Sequence, residues 1–211
     1  MSAVIKRRVL LAWVITGVWA AGAEGENARR GGLALQFDDG WTSWRTQLAR
    51  VGGRATAFVN NQYIASGRIS LDDLRTLQNE FGWEIGTHGY AHVNAIRYAQ
   101  QKGVEAWTNE QLTRSLEELR EGGLKVSNLV FPYNAYTPEL AQASLAQGLG
   151  SYRRADVLAL APGRREDGSL PGTSIDLTRY LPLPVLKQWV DLAHERGQVL
   201  FLYGHRVLPD D

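Results

Sequence analysis

The sequence predicts an α/β chain in which short strands alternate with helices and the strands run parallel. Three observations carry that expectation. Short apolar runs rich in β-branched and aromatic residues are separated by longer stretches with helical periodicity. Four of the apolar runs end in polar and aromatic clusters, and in α/β folds the sites gather where strands end. A length of 211 residues, with 44% hydrophobic and 21% charged content, suits one globular domain with a substantial core. Units of this kind build either an open sheet or a barrel.

The elements follow in order. "LALQF", from Leu33, and "ATAFVN", from Ala55 to Asn60, read as the first two strands. "SLDDLRTLQNEF" reads as a helix, with Ser70 as its cap and acidic residues in its first turn. "WEIGTHGY" is a strand running into a loop. "TNEQLTRSLEELREGG" is the clearest helix: Thr108 can cap it, Leu112, Leu116 and Leu119 share a face, and Gly122 and Gly123 stop it. "SNLVFPY" is strand-like, and "TPELAQASLAQG" has a threonine cap, a proline in the first turn and a glycine stop. "GSYRRA" and "TSIDLTRY" each supply a strand, and between them "LALAPGRREDGSLPGTS" reads as a long surface loop. "PVLKQWVDLAHERG" is the last helix and "QVLFLYGH" the last strand. The chain stops six residues after His205 with no closing helix, so the last unit is expected to be loosely closed or incomplete.

Residues 1–23 read as a signal peptide. Lys6, Arg7 and Arg8 precede an apolar stretch from Val9 to about Ala21, and Ala21-Gly22-Ala23 has the small-x-small pattern of a cleavage site. The apolar run is short for a membrane span, with an uncleaved anchor as the alternative. The expectation is an exported, periplasmic or secreted protein with no stable span after cleavage, a flexible segment at 24–32 and one folded domain over 33–211. Cleavage removes three basic and no acidic side chains, turning the formal charge from +1 to −2. Neither value gives a reason to invoke nucleic acid. The chain has no cysteine, which excludes thiol catalysis, disulfides and thiolate metal sites. Any metal must be held by carboxylates and by the four histidines, His88, His92, His194 and His205.

The chemistry-bearing clusters are Asp38-Asp39, "THGYAH", "FPYNAY" and "YGHR". Two neighbouring carboxylates at the end of a buried strand repel each other unless a cation or hydrogen bonds compensate. His88 and His92 stand at i, i+4, which on a helical turn would point both rings one way, towards a zinc-like ion. The alternative is two polar loop histidines. The metalloprotease signature shares this spacing but needs a glutamate where this chain has Gly89. His194 lies among Asp191, Glu195 and Arg196 and reads as a solvated surface residue.

"FDDG", "HGYAH", "FPY" and an apolar strand ending in "GH" resemble, in content and order, the NodB-like polysaccharide deacetylases, from about Leu33 to His205. The resemblance implies a distorted (β/α) barrel and metal-dependent removal of N- or O-acetyl groups from an acetylated glycan. By position it implies Asp38 as catalytic base, Asp39, His88 and His92 as metal ligands, His205 as general acid, and the Tyr133 backbone N–H as oxyanion donor. The implied cofactor is a divalent metal: zinc first, with cobalt, nickel or iron able to occupy the same ligands. The chain departs from the pattern where the third motif opens, with Val130 in place of an arginine; Arg153 and Arg179 are candidates to substitute. Asp176, and after it Asp156, is the candidate to support His205. Trp41, Trp44 and Tyr136 are candidates to contact sugar, with barrel packing as the competing role for the tryptophans. Two other functions compete: a non-catalytic glycan-binding relative, and a hydrolase of a non-sugar amide using the same metal site. Specificity and oligomeric state are not legible.

Overall fold

A computed structural model describes residues 31–49, 52–156, 158–176 and 182–207. Residues 1–23, expected to be a signal peptide, residues 24–30, Arg179 and the terminal Asp211 lie outside the described residues. The strands are β1 (Gly32–Asp39), β2 (Thr56–Val59), β3 (Glu84–Thr87), β4 (Val126–Val130), β5 (Ser151–Arg153), β6 (Leu160–Ala161), β7 (Ser169–Leu170), β8 (Thr173–Ser174) and β9 (Val199–Gly204). They form one sheet in the order β7-β5-β4-β3-β2-β1-β9, parallel throughout. Along β9, β8 adds in parallel and β6 antiparallel. Strand β7 sits at one end of this order and β8 at the other, yet only Pro171 and Gly172 separate them in the chain. The sheet therefore curls into a nearly closed barrel with helices outside it, the (β/α) architecture that the resemblance implies.

The stretch expected to be a surface loop supplies that closure. Its Ser169 and Thr173 are buried, and β6, β7 and β8 all fall within it or at its end. Two-residue strands interrupted by glycine and proline carry too little alternation to be read from sequence.

Helices pack outside the sheet: α1 (Asn61–Ala65), α2 (Leu71–Asn79), α3 (Ala95–Lys102), α4 (Val104–Trp107), α5 (Arg114–Glu121), α6 (Pro138–Leu145) and α7 (Leu183–Glu195). Ser70 caps α2 in a full capping box with Asp73, and Thr137 caps α6 through the Leu140 N–H. Thr108 caps nothing. It lies inside a continuous helical run that starts after Gly103 and passes through a π-helical turn, Thr108–Thr113, into α5. The main core lies between sheet and helices and contains Phe37, Trp44, Leu74, Trp83, Ile85, Leu116 and Phe131, all buried. A smaller cluster seats α7 on β1 and β9 through Ala193, Leu200 and Leu202.

Candidate active site

The interior of the barrel is polar at one end. Alternation along β1 turns Phe37 to the outer core and Gln36 and Asp38 to the interior. Arg153, at the end of β5, reaches across the barrel: its Nη1 and Nη2 donate to Asp38 Oδ1 at 2.8 Å and Oδ2 at 2.5 Å. The two side chains are 0% and 4% exposed, so this is a buried, bidentate ion pair. The guanidinium also lies 3.8 Å from the Tyr203 ring centre. Small residues make the space. A Cβ on Gly172 would stand 2.5 Å from Arg153 Cδ, and one on Gly86 would stand 2.5 Å from two carbons of the Phe58 ring. An arginine thus stands against Asp38 from a different strand than the one carrying Val130.

Asp39 closes the same strand with φ = 82°, a left-handed conformation rare outside glycine. That turn separates the neighbouring carboxylates. Asp39 Oδ1 lies 3.3 Å from His92 Nε2 and 3.7 Å from His88 Nε2, and it is buried with no hydrogen-bond donor. One ligand atom from each of the three residues falls within 4.8 Å of the others. Burial works to raise the Asp39 carboxyl, but the nearby His92, His88 and His205 rings outweigh it and hold it below the ordinary carboxylate value.

The two histidines do not share a helical turn. His88 directly follows β3, and His92 sits in a loop at φ = 49°. Polar side chains pin that loop: buried Asn60 donates to the Gly89 carbonyl at 3.0 Å, and Gln111 accepts from the Ala91 N–H at 3.1 Å. His88 Nδ1 meets the Val130 carbonyl at 2.7 Å; a carbonyl only accepts, so Nδ1 carries the proton and Nε2 is left bare. Burial pushes the His88 ring below its usual value, towards the neutral form a metal ligand needs. The donor set, one carboxylate oxygen without a partner and two imidazoles, fits a divalent cation with positions left open.

His205 follows β9, the neighbour of β1. Its Nδ1–H donates to Asp176 Oδ2 at 2.8 Å and its backbone N–H to Asp176 Oδ1 at 3.1 Å. The Asp176 bond is the main cause raising the His205 pKa above its ordinary value, against burial. Asp156 instead pairs with Arg165. Tyr133 is 65% exposed, has φ = 61°, and sets its ring edge-on to His92 with centroids 4.7 Å apart. Asp39, His92, Tyr133 and Asn134 are four of the five described non-glycine residues with positive φ, so backbone strain gathers at this mouth.

Trp44 corrects the sugar-contact expectation. It is fully buried against Phe37 and Trp83, and its Nε1 donates to the His205 carbonyl at 2.6 Å. Its ring has no face to offer a sugar; it packs the barrel and fixes the turn carrying His205. Trp41 is half-buried beside the mouth, with Arg68 over its ring. Tyr136 stacks on Phe131 and meets Tyr152 edge-on, a packing contact with the ring part exposed. His194 is exposed on α7. Sequence reasoning missed Tyr63 and Arg68, which the structure sets beside His92 and Asp39. No periodicity or motif marks them in "NNQYIASGR".

The sequence profile of the polysaccharide deacetylase family matches residues 25–151. No curated protein matches the chain significantly. Among solved structures, the fold is similar to a CE4 family pseudoenzyme from Bacillus anthracis, at 16% identity and a TM-score of 0.56, covering 84% of this chain and 56% of that one. A Streptococcus pyogenes deacetylase in complex with acetate aligns at 16% identity and a TM-score of 0.58, covering 74% and 69%. A family 4 carbohydrate esterase from Streptomyces lividans, also with acetate, aligns at 17% identity and a TM-score of 0.50, covering 81% and 91%. The chain thus spans little more than half the length of the Bacillus structure.

Proposed function

Because the chain belongs to the polysaccharide deacetylase family, we propose that it is a metal-dependent hydrolase that removes acetyl groups, N-acetyl groups foremost, from a carbohydrate polymer. The observation that carries this reading is the Asp39–His88–His92 cluster, set at the same strand ends as Asp38 and His205. A divalent cation held there, zinc by preference, would polarise the acetyl carbonyl and acidify a water.

The chain's own residues do the rest. Asp38 takes the proton of the attacking water, and the two hydrogen bonds from Arg153 fix the orientation of its carboxylate. The Tyr133 N–H stabilises the oxyanion. His205, kept protonated and oriented by Asp176, delivers a proton to the leaving amine. Residues 1–23 act as an export signal, so the enzyme works in the periplasm or outside the cell; N-terminal sequencing of exported protein should begin at Glu24.

The test is acetate release by the protein from residue 24 onward, with N-acetylglucosamine oligomers and acetylated xylan, each with zinc and with a chelator. Release that the chelator abolishes is expected. Bound metal without release from either glycan would favour a glycan-binding relative, and release only from a non-sugar amide would move the substrate class.

A further inference from the structure

We propose that the glycan taken by this site is anionic, carrying carboxylate groups beside the acetylated sugar, and that Arg68, with Arg206 and Arg97, reads them. The inference rests on the site being a glycan deacetylase. It starts from Arg68, whose guanidinium carbon stands 3.6 Å from the Tyr63 ring centre and 4.3 Å from that of Trp41. The backbone fixes it further: the Arg68 N–H donates to the Tyr63 carbonyl at 2.9 Å, and its own carbonyl accepts from the Thr42 N–H at 3.2 Å. A guanidinium stacked on aromatic rings has only its in-plane N–H edge left for hydrogen bonds. None of those N–H groups is hydrogen-bonded among the described residues. The nearest carboxylate, Asp39 Oδ2, is 3.5 Å from Nη1. The side chain is 28% exposed, so water solvates it only in part.

Its surroundings carry the same sign. Arg206 directly follows His205, is exposed, and places its guanidinium 5.6 Å from the Trp41 ring centre. On the other flank an open cavity beside His92 is lined by Asn94, Arg97, Tyr98, Gln101 and Tyr133, with no carboxylate in its walls. The carboxylates of the site face other partners: Asp38 meets Arg153, Asp176 meets His205, and Asp39 turns Oδ1 to the two histidines and leaves only Oδ2 near Arg68. Among the described residues Arg97 and Arg206 therefore have no carboxylate partner, and Arg68 has one, Asp39, to which it makes no hydrogen bond. A sugar carboxylate supplies both acceptor and counter-ion, in the planar geometry an arginine edge matches. A neutral glycan leaves that edge without a hydrogen-bonded carboxylate, which discriminates against it.

The test uses zinc-loaded protein and a pair of N-acetylated hexasaccharides: a hyaluronan fragment, in which glucuronate alternates with N-acetylglucosamine, and neutral chitohexaose. Affinity is measured by calorimetry, with acetate assayed in the same samples. The acidic oligosaccharide should bind at least about tenfold more tightly, the worth of one charge-assisted hydrogen bond. The ratio should shrink towards one in Arg68→Gln and in rising sodium chloride, and in part in Arg206→Gln, a variant that leaves Asp39 untouched. Equal affinities, or a preference that survives both substitutions, would overturn the proposal. Acidic preference without acetate from any glycan would retain it and remove the deacetylase reading; acetate from chitohexaose with no acidic preference would do the reverse.

Discussion

Two adjacent aspartates with opposite surroundings organise this site. Asp38 turns into the barrel and is matched, oxygen for nitrogen, by the guanidinium of Arg153. Asp39, swung away by its left-handed backbone, keeps a buried oxygen with no donor beside two imidazoles. A third carboxylate, Asp176, works through His205. Its hydrogen bond raises the histidine's pKa, so the ring stays protonated to a higher pH than a free imidazole. A general acid is competent only while protonated, so activity should fall as pH rises through that raised value. Asp176→Asn removes the largest cause of the rise, and the alkaline limb of the kcat/KM profile should move to lower pH. An unmoved limb would take His205 out of the acid role. The residue types of the site were legible in the sequence because the motifs are contiguous. The arginine paired with Asp38 was legible only as a choice between Arg153 and Arg179, since 115 residues separate Arg153 from its partner.

Among the elements, most strands and helices were legible because period and caps agree: Ser70 and Thr137 cap as their sequences imply. The failures have physical causes. Thr108 has the chemistry of a cap, but the helix had already begun beyond Gly103, where packing of Trp107 and Leu112 in the core outweighs a local signal. The spacing of His88 and His92 imitates a helical turn, while Asn60 and Gln111 hold a loop that does the same work. The polar barrel interior depends on residues that are absent as much as on those present. Gly86 leaves room for the Phe58 ring, which lies 5.7 Å from the Arg153 guanidinium. Gly86→Ala should therefore cost about 1–3 kcal/mol by overpacking, read as a lower denaturation midpoint, whereas an unchanged midpoint would mean the interior yields freely.

At the scale of the whole molecule, the candidate site is assembled by a sheet that nearly closes. Strand β9 lies beside β1, which brings residue 205 to residues 38 and 39, and β5 faces them across the interior with Arg153. Trp44 ties the outer core to the His205 turn, so the packing layer and the chemistry share a residue. Among the described residues no helix is long and apolar enough to cross a membrane. The barrel type followed from the motifs; its closure through β7 and β8 did not, because strands of two residues leave no periodic trace. The proposed function divides the labour between neighbours, with Asp39 holding the cation and Asp38 moving the proton. The most direct measurement is zinc content and acetate release, on the same samples, for Asp38→Asn and Asp39→Asn. The first variant should keep about one zinc per chain and lose turnover, and the second should lose both. Zinc lost from Asp38→Asn, or retained by Asp39→Asn, would contradict the account.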